Sequence, residues 1–209
     1  MNSTIFSEKQ TFFDRWAPNY DFFLTSAIFL AIHQRMLEYA QIPDEANILD
    51  IGCGTGRLLD RLAKEYATLR GIGLDLSQKM ILEARKRNLY ADRIEYRQGN
   101  AESLPFGDSK FDVVFNMMSF PHYPHPQTVL SEICRVLRSG GRFYLVDITP
   151  PPNVKVRQQT NADLFLSGMG GVRFYSLPQR ERLGREAGLN FLGHRYLLGP
   201  VVLTMFARS

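Results

Sequence analysis

Ile48-Leu49-Asp50-Ile51-Gly52-Cys53-Gly54-Thr55-Gly56-Arg57-Leu58 is the segment that decides the fold of this chain. In it, an apolar strand ends on an acid and breaks into three alternating glycines before a helical pattern begins. Glycine has no Cβ and tolerates a positive φ, so such a loop lets the backbone approach a ligand closely. The segment therefore predicts the first strand, loop and helix of a parallel α/β sheet, with a cofactor site where the strand ends.

The carboxylate of Asp50 bears on which cofactor this loop binds. A dinucleotide enzyme directs the corresponding loop at a pyrophosphate, which a neighbouring negative charge disfavours. A carboxylate at this place suits a cation instead. The G-x-G-x-G spacing is also one residue shorter than the G-x-G-x-x-G dinucleotide fingerprint. By itself the loop leaves a cationic cofactor and a dinucleotide open.

A second acid follows the next predicted strand. Leu69–Leu74 is apolar and ends at Asp75. An acid about 20 residues past the glycine loop accepts hydrogen bonds from the hydroxyls of an adenosine ribose. The alternative role of Asp75 is to cap the helix that starts near Ser77, although Ser77 is itself a good cap. Asp75 therefore predicts an adenosine-containing cofactor and leaves the reaction open.

Two more strands are predicted before the middle of the chain ends. Ile94–Gln98 is a short strand that runs into the polar turn Gly99-Asn100-Ala101-Glu102-Ser103-Leu104-Pro105-Phe106. Lys110–Met118 contains a continuous apolar run, which is typical of a parallel strand buried on both faces. The pattern predicts that this fourth strand is buried on both faces.

These segments, in this order, resemble the class I S-adenosylmethionine-dependent methyltransferases. Ile48–Leu58 resembles the first motif of that family, and Gly99–Phe106 resembles its G-D-A-x-x-L-P-F segment, with Asn100 in place of the usual Asp. Leu137–Val146 resembles the L-x-P-G-G motif, with Ser139 in place of proline. The resemblance implies an α/β fold with a Rossmann-like seven-stranded sheet, mostly parallel, with helices on both faces and an antiparallel last strand.

The resemblance also implies S-adenosyl-L-methionine as cofactor and S-adenosyl-L-homocysteine as product. In that family the strand-end acid and the glycine loop hold the methionine part, whose ammonium and sulfonium groups are positive; this is the role implied for Asp50. Asp75 is expected to hold the ribose, and the Asn100 side-chain oxygen to accept from the adenine amino group. The implied cofactor-binding residues are Asp50, Gly52, Cys53, Gly54, Gly56, Asp75, Leu76, Asn100, Ala101, Glu102 and Asn116.

The N-terminal stretch is the best clue to the substrate. Phe12-Phe13-Asp14-Arg15-Trp16-Ala17-Pro18-Asn19-Tyr20-Asp21 resembles the F-D-x-x-A-x-x-Y-D entry of the ubiquinone and menaquinone C-methyltransferases and their relatives. The resemblance implies a helical lid or cap over residues 1–40, with Tyr20 near the methionine end of the cofactor. The apolar residues that follow either line an acceptor pocket or dock a cap helix on the sheet: Phe22, Phe23, Leu24, Ile28, Phe29, Leu30 and Met36.

Catalysis of methyl transfer needs alignment and a dry site more than it needs a protein nucleophile, because the sulfonium is already activated. An acceptor that keeps its proton still needs a base. His122, just past the fourth strand, is the best-placed candidate, Tyr20 is the other catalytic candidate, and His125 is less well placed. A histidine between prolines is also common as plain polar surface, and that alternative stays open.

The C-terminal third follows the family outline more loosely. The spacing of apolar residues after Pro126 predicts a helix, which a left-handed glycine cap in Ser139-Gly140-Gly141 is expected to end, before a fifth strand over Arg142–Asp147. Leu164–Gly171 fits either a flap over the acceptor or an ordinary connection. The remaining predicted elements are a helix over Pro178–Ala187 and a terminal hairpin of Asn190–Leu197 and Val201–Ala207.

Length and composition fit one enzyme domain. The chain has 209 residues, 44% of them hydrophobic, so a single domain over 1–209 is expected. The two cysteines have neither metal-ligand nor disulfide spacing, and no metal is expected. No uncharged run reaches the length of a membrane span, and the N-terminus lacks the order of a signal peptide, so we expect a cytoplasmic protein.

The net charge of +4 raises the question of an anionic partner. The basic residues fall on helix faces, which are usually solvated, and no aromatic β platform or recognition helix accompanies them. Specific nucleic-acid binding is therefore not expected, whereas weak association with an anionic membrane surface stays open. The expected partner is a small-molecule acceptor, apolar or aromatic, and the chain is expected to be a monomer or a homodimer.

The sequence thus predicts an S-adenosylmethionine-dependent methyltransferase. One alternative is an NAD(P)-dependent oxidoreductase, which Asp50 and the segment Asn100-Ala101-Glu102 disfavour. The other is a methyltransferase-like protein that binds the cofactor without catalysis. The sequence does not name the acceptor, nor whether its reacting atom is oxygen, nitrogen or carbon.

Overall fold

The computed structural model describes residues 6–15, 27–150 and 172–209. Several predicted features lie outside these residues. They include Tyr20 with the rest of the entry motif after Arg15, the apolar residues Phe22, Phe23 and Leu24, and the segment Leu164–Gly171.

Seven strands in the described part of the chain form one sheet, in the order β3-β2-β1-β4-β5-β7-β6. The first five strands pair in parallel, and β7 is antiparallel to both β5 and β6. This arrangement confirms the predicted fold class, including the antiparallel last strand. The strands are β1 (Asn47–Ile51), β2 (Arg70–Asp75), β3 (Ile94–Gln98), β4 (Phe111–Met117), β5 (Leu137–Ile148), β6 (Leu189–Leu198) and β7 (Val201–Arg208).

Helices cover both faces of this sheet. Leu59 of one helix and Ile81 of the next belong to a core cluster on one face, while Leu130 and Ile133 belong to a second cluster on the other face. β1 and β4 are buried between the two clusters, which explains their nearly continuous apolar sequences. The helices are α1 (6–15), α2 (Ala27–Leu37), α3 (Arg57–Glu65), α4 (Gln78–Arg87), α5 (Pro126–Val136) and α6 (Leu177–Glu186), with a short 3₁₀ turn at Phe120–His122.

The predicted glycine cap of α5 is wrong. The helix ends at Val136, and Leu137 is already extended (φ −67°, ψ 144°) as the first residue of β5. Leu137 is fully buried and pairs with Phe111 of β4, so the chain enters the sheet before it reaches the glycines. Gly140, with φ 76°, then lies where the register between β4 and β5 shifts. Its left-handed conformation serves a bulge in the strand rather than the end of a helix.

No helix in the described ranges is both long and apolar enough to cross a bilayer.

Candidate active site

The strand order puts a crevice at the carboxyl end of β1. After β1 the chain builds β2 and β3 on one side, and then returns to place β4 on the other side of β1. The loops that leave β1 and β4 therefore run in opposite directions, and in open α/β sheets ligands bind where this happens. The glycine loop and the segment around His122 both lie at this edge.

The glycine loop is held against the end of β2 by its own backbone. The amides of Gly52 and Cys53 donate to the Leu74 carbonyl (2.7 and 3.1 Å), and the Gly54 amide donates to Asp75 Oδ2 (2.9 Å). Gly52 and Gly54 have φ values of 72° and 53°, which favour glycine. A Cβ on Gly52 would also lie 2.5 Å from the Ser119 Cβ, so the loop admits no side chain there.

Gly56 has a different reason to be glycine. It precedes α3 with φ 85°, and a Cβ there would lie 2.6 Å from Cζ of Tyr96, whose hydroxyl donates to the Gly56 carbonyl (3.1 Å). Gly56 lines neither of the two pockets described next. The lack of a side chain at Gly56 instead lets the Tyr96 ring pack against the loop.

Two neighbouring pockets lie on either side of the loop, and we call them the Asp75 pocket and the Asp50 pocket. The Asp75 pocket holds about 710 Å³ of space free of protein atoms, open solvent included. Gly52, Gly54, Met117 and Met118 line both pockets. The Asp75 pocket is otherwise lined by Phe6, Lys9, Phe13, Ile51, Leu74, Asp75, Leu76, Met80, Gly99, Asn100, Ala101, Ser119, His122, Tyr123 and Pro124, and the Asp50 pocket by Phe29, His33, Asp50, Cys53, Thr55, Arg57 and Leu58.

Of the two acids that name these pockets, Asp50 is buried and Asp75 is half-buried, and they are close enough to influence each other. Burial raises the pKa of Asp50 to about 8, and the negative charge of Asp75 adds to this shift. Burial also raises the pKa of Asp75 to about 6, although backbone hydrogen bonds from Ser77 and Gly54 oppose the rise. A cation bound near both acids would stabilise their charged forms. An anionic phosphate would instead add to the repulsion.

His33 adds no positive charge to the Asp50 pocket at neutral pH. Burial, together with the nearby charge of Arg61, lowers the pKa of His33 to about 4. The thiol of Cys53 is likewise uncharged, because burial raises its pKa well above the ordinary value. Asp50 is therefore the titrating group of this pocket near pH 8.

Asn116 lies behind the pocket wall and lines neither of the two pockets. Its amide nitrogen is within hydrogen-bond distance of the Ile51 carbonyl (3.0 Å), the Ser119 hydroxyl (2.8 Å) and the Tyr123 hydroxyl (2.7 Å). Ser119 and Tyr123, which are 3.0 Å apart through their hydroxyls, do line the Asp75 pocket. Asn116 thus fixes two wall residues that the sequence analysis did not single out.

Asn100 lines the Asp75 pocket, but its side-chain oxygen already accepts a hydrogen bond from the Glu102 amide (2.9 Å). A carbonyl oxygen has a second lone pair, so it can still accept from a ligand. Glu102 points elsewhere: its carboxylate accepts from the His125 amide (2.9 Å) and lies 2.8 Å from His125 Nδ1. Glu102 and His125 line neither pocket.

Helix α1 closes one side of the Asp75 pocket. Asp14 Oδ1 accepts from the Ser77 hydroxyl (2.5 Å) and from the Lys79 amide (3.3 Å) at the start of α4, where a carboxylate is favoured by the helix dipole. Phe13 meets the ring of His122 edge to face, with ring centres 5.0 Å apart. These contacts join α1 to the ends of both β2 and β4.

His122 is largely buried beneath α1. Burial and the nearby charge of Lys9 lower the pKa of His122 to about 4, so its ring is neutral at physiological pH. Nδ1 of this ring is buried and has no hydrogen-bond partner among the residues that the structure describes. The His122 ring is thus a neutral group in the lining of the Asp75 pocket.

Several pocket residues were missed by the sequence analysis. Ser119 and Tyr123 follow β4 and lie near His122 in the sequence. Their position after this strand could have identified them as pocket residues. Met118 has a φ of 52°, and nothing in the sequence predicted this left-handed conformation at a non-glycine residue. Other missed residues include Phe6, Lys9, His33, Thr55, Met80 and Met117.

Comparison with known proteins gives these features a family context. A family model described as a methyltransferase domain matches residues 49–145. The demethylmenaquinone methyltransferase of Lactiplantibacillus plantarum is 39% identical over 150 residues, which cover 68% of this chain and 63% of that protein. The fatty-acid O-methyltransferase of Mycolicibacterium smegmatis is 37% identical over 158 residues, covering 76% of this chain and 49% of that protein. The chain thus spans less than two thirds of the length of these relatives.

Solved structures share the fold. One chain in the complex of the Haloferax volcanii Trm112 methyltransferase activator with a methyltransferase superposes with a TM-score of 0.81. It is 21% identical, and the match covers 94% of this chain and 97% of that chain. At this identity the likeness establishes the architecture alone.

Proposed function

We propose that the chain, whose residues 49–145 match a methyltransferase domain, is an S-adenosylmethionine-dependent methyltransferase. It transfers a methyl group from this cofactor to a small apolar or aromatic acceptor by in-line displacement. The product of the cofactor is S-adenosylhomocysteine. The names of two relatives, which refer to demethylmenaquinone and to fatty acids, support an apolar acceptor.

The observation that carries this proposal is the pair of acids, buried Asp50 and half-buried Asp75, beside the glycine loop. Asp50 and Asp75 have pKa values that burial raises to about 8 and about 6, so each gains from a nearby positive charge. S-adenosylmethionine carries an ammonium and a sulfonium. The pyrophosphate of NAD(P) carries negative charge, which the charged forms of these two acids disfavour.

The two pockets match the two halves of this cofactor. We assign the methionine half to the Asp50 pocket, with Asp50 as the acceptor for the ammonium and with the Gly52–Gly54 loop and Cys53 as walls. We assign the adenosine half to the Asp75 pocket. There the Asp75 oxygens, which already accept from the Gly54 and Ser77 amides, have lone pairs left for the ribose hydroxyls.

The adenine ring fits between apolar residues of the same pocket. Leu76, Met80 and Ala101 line it, and the Asn100 oxygen keeps a lone pair for the adenine amino group. Gly56, Glu102 and Asn116 do not reach either pocket, so we assign them the role of positioning the loops that do.

The bound cofactor supplies an activated methyl group on its sulfonium. Met117, Met118, Gly52 and Gly54 line both pockets and so border the place where the two halves of the cofactor meet. These residues exclude water and hold the reacting groups in line, which is most of what this reaction requires. The neutral ring of His122 is a hydrogen-bonding group for the acceptor, and its low pKa makes it a weak general base.

We further propose that residues 1–209 form one domain in which residues 1–40 act as a lid. The support for the lid is α1, whose residues Phe6, Lys9 and Phe13 line the Asp75 pocket while Asp14 anchors the helix to α4. Tyr20 keeps its proposed place near the methionine half.

A titration of the purified protein with S-adenosylmethionine, S-adenosylhomocysteine and NADH tests the choice of cofactor. We expect binding of the two sulfur compounds and none of NADH. Asp50→Asn should weaken binding at least tenfold, because a charge-assisted contact is lost. Glu83→Gln, on α4 and outside the lining of both pockets, is the matched control and should bind normally. Binding of NADH in preference to both sulfur compounds would contradict the proposal.

A further inference from the structure

A surface groove adjoins the Asp50 pocket, and residues of α2, α3 and the end of α4 line it. We call it the α2–α3 groove. It holds about 1390 Å³ of space free of protein atoms, open solvent included. Phe29, His33 and Arg57 line both this groove and the Asp50 pocket, so the two spaces are neighbours. Most of the groove lies beyond the residues to which the proposed function assigns the cofactor.

Basic residues dominate the charge of this groove. Those in its described lining are Arg57, Arg61, Lys64 and Arg87, and the acids there are Asp60 and Glu65. Arg57, Arg61 and Lys64 follow one another at spacings of four and three residues, which puts them on one face of α3. The basic residues outnumber the acids by two, so the groove attracts an anionic partner.

Exposed leucines lie among these charges. Leu30 of α2 is 47% exposed, and Leu89, which follows α4, is 86% exposed; both line the groove. Single exposed leucines are common on protein surfaces, and alone they indicate nothing. Here they border the same groove as the basic residues. Basic side chains beside exposed apolar side chains are the combination that binds at the interface of a bilayer.

An anionic lipid bilayer matches both features of the groove. Its phosphates complement the charges of Arg61 and Lys64, and the apolar layer beneath them takes up Leu30 and Leu89. A nucleic acid also offers phosphates, but it has no apolar layer and would leave the leucines in water. The bilayer is therefore the partner that the charge and the apolar side chains favour together.

We propose that the α2–α3 groove docks the protein on an anionic lipid bilayer, with Arg61 and Lys64 at the phosphates and Leu89 in the apolar boundary. In this orientation the neighbouring Asp50 pocket lies close to the bilayer, which is the phase in which an apolar methyl acceptor dissolves. The docking surface goes beyond the proposed methyltransferase function, and its test requires neither cofactor nor turnover.

Sedimentation of the protein with lipid vesicles tests this surface. One set of vesicles contains equal parts of phosphatidylglycerol and phosphatidylcholine, and the other contains phosphatidylcholine alone. We expect binding to the anionic set to be at least about tenfold tighter, because each basic residue near such a surface contributes about fivefold in affinity. Added salt should weaken this binding, because it screens exposed charges.

A pair of double variants tests the charges. Arg61→Gln with Lys64→Gln should weaken binding to the anionic vesicles at least about tenfold. The matched control is Arg182→Gln with Arg185→Gln, which removes two exposed basic residues at the same spacing on α6. The control should change binding by no more than about twofold, because it leaves the groove intact.

A pair of leucine variants tests the apolar contact. Leu89→Ser should weaken binding to the anionic vesicles about fivefold, because less apolar surface leaves water. Leu192→Ser, at an exposed position of β6, is the control and should bind the vesicles as the unmodified protein does. Arg61, Lys64 and Leu89 line neither cofactor pocket, so S-adenosylhomocysteine should bind all of these variants normally and so show that they are folded.

Equal affinity for the two kinds of vesicle would overturn the inference, as would the absence of binding to either. Anionic-vesicle binding that survives the change of Arg61 and Lys64 would also overturn it, because the docking surface would then lie elsewhere. Tighter binding of duplex RNA than of the anionic vesicles would mean that the groove serves a nucleic acid. Failure of the unmodified protein to bind S-adenosylhomocysteine is a different result, which would refute the proposed function and leave the docking surface standing.

Discussion

Protonation of Asp50 should control cofactor binding near neutral pH. With a pKa of about 8 in the empty site, about nine tenths of the Asp50 carboxyls are protonated at pH 7. An ammonium bound to Asp50 favours the charged carboxylate, so binding must release that proton. At pH 7 this ionisation costs about 1.4 kcal/mol, or roughly a factor of ten in affinity. The affinity for the cofactor therefore rises with pH up to about 8 and then levels off.

Calorimetry of S-adenosylhomocysteine binding measures this linkage in two independent ways. We expect affinity to rise about fivefold from pH 7 to pH 8. We also expect the binding enthalpy at pH 7 to differ between phosphate and Tris buffers by the amount that corresponds to release of about 0.9 proton. Asp75, with a pKa of about 6, contributes little above pH 7, and His33 stays neutral throughout this range.

The variant Asp50→Asn separates Asp50 from the other titrating group of the site. It should bind more weakly at pH 8 and should show almost no pH dependence or proton release above pH 7. Lys9 also titrates near pH 8, and a dependence that originates from Lys9 would survive in this variant. Equal enthalpies in both buffers for the unmodified protein would refute the reasoning, as would a pH dependence that Asp50→Asn leaves unchanged.

Three further outcomes are expected. Asp75→Ala should weaken S-adenosylmethionine binding by about 1.5–3 kcal/mol in calorimetry, because the charge-assisted ribose contacts are lost; unchanged affinity would exclude this role. Gly54→Val should abolish binding with a native circular dichroism spectrum, since the branched side chain enters the space that both pockets share; normal binding would mean that the loop does not face the cofactor. Asp14→Ala should speed amide hydrogen exchange in residues 6–15 by about five- to thirtyfold, because about 1–2 kcal/mol of docking free energy is lost. In the unmodified protein, S-adenosylhomocysteine should slow exchange in the same residues. Exchange that neither the variant nor the ligand changes would contradict a lid.

The sheet was predictable because its central strands carry a strong pattern. β1 and β4 are apolar on both faces, and their predicted ends lie within a residue or two of the observed ones. The end of α5 was not predictable in the same way. Leu137 fits a helical face as well as a strand, and its pairing with Phe111, remote in sequence, decides between them.

The motifs located the candidate site, but not every residue at a motif position lines a pocket. Asp50, Gly52, Gly54 and Asp75 line the pockets. Asn116 and Glu102 were also predicted to bind the cofactor, but their side chains contact Tyr123 and His125 instead. Nothing in the sequence predicted that Lys9 lines the Asp75 pocket. A single lysine on an amphipathic helix is ordinarily solvated, whereas Lys9 lines the pocket and is buried.

A crystal structure of the S-adenosylhomocysteine complex tests the central claim most directly. The account predicts that the amino group of the ligand lies about 3 Å from the Asp50 carboxylate in the Asp50 pocket. It also predicts that the ribose hydroxyls donate to Asp75. A ligand bound at another edge of the sheet, or in the reverse orientation with its adenine ring beside Asp50, would contradict it.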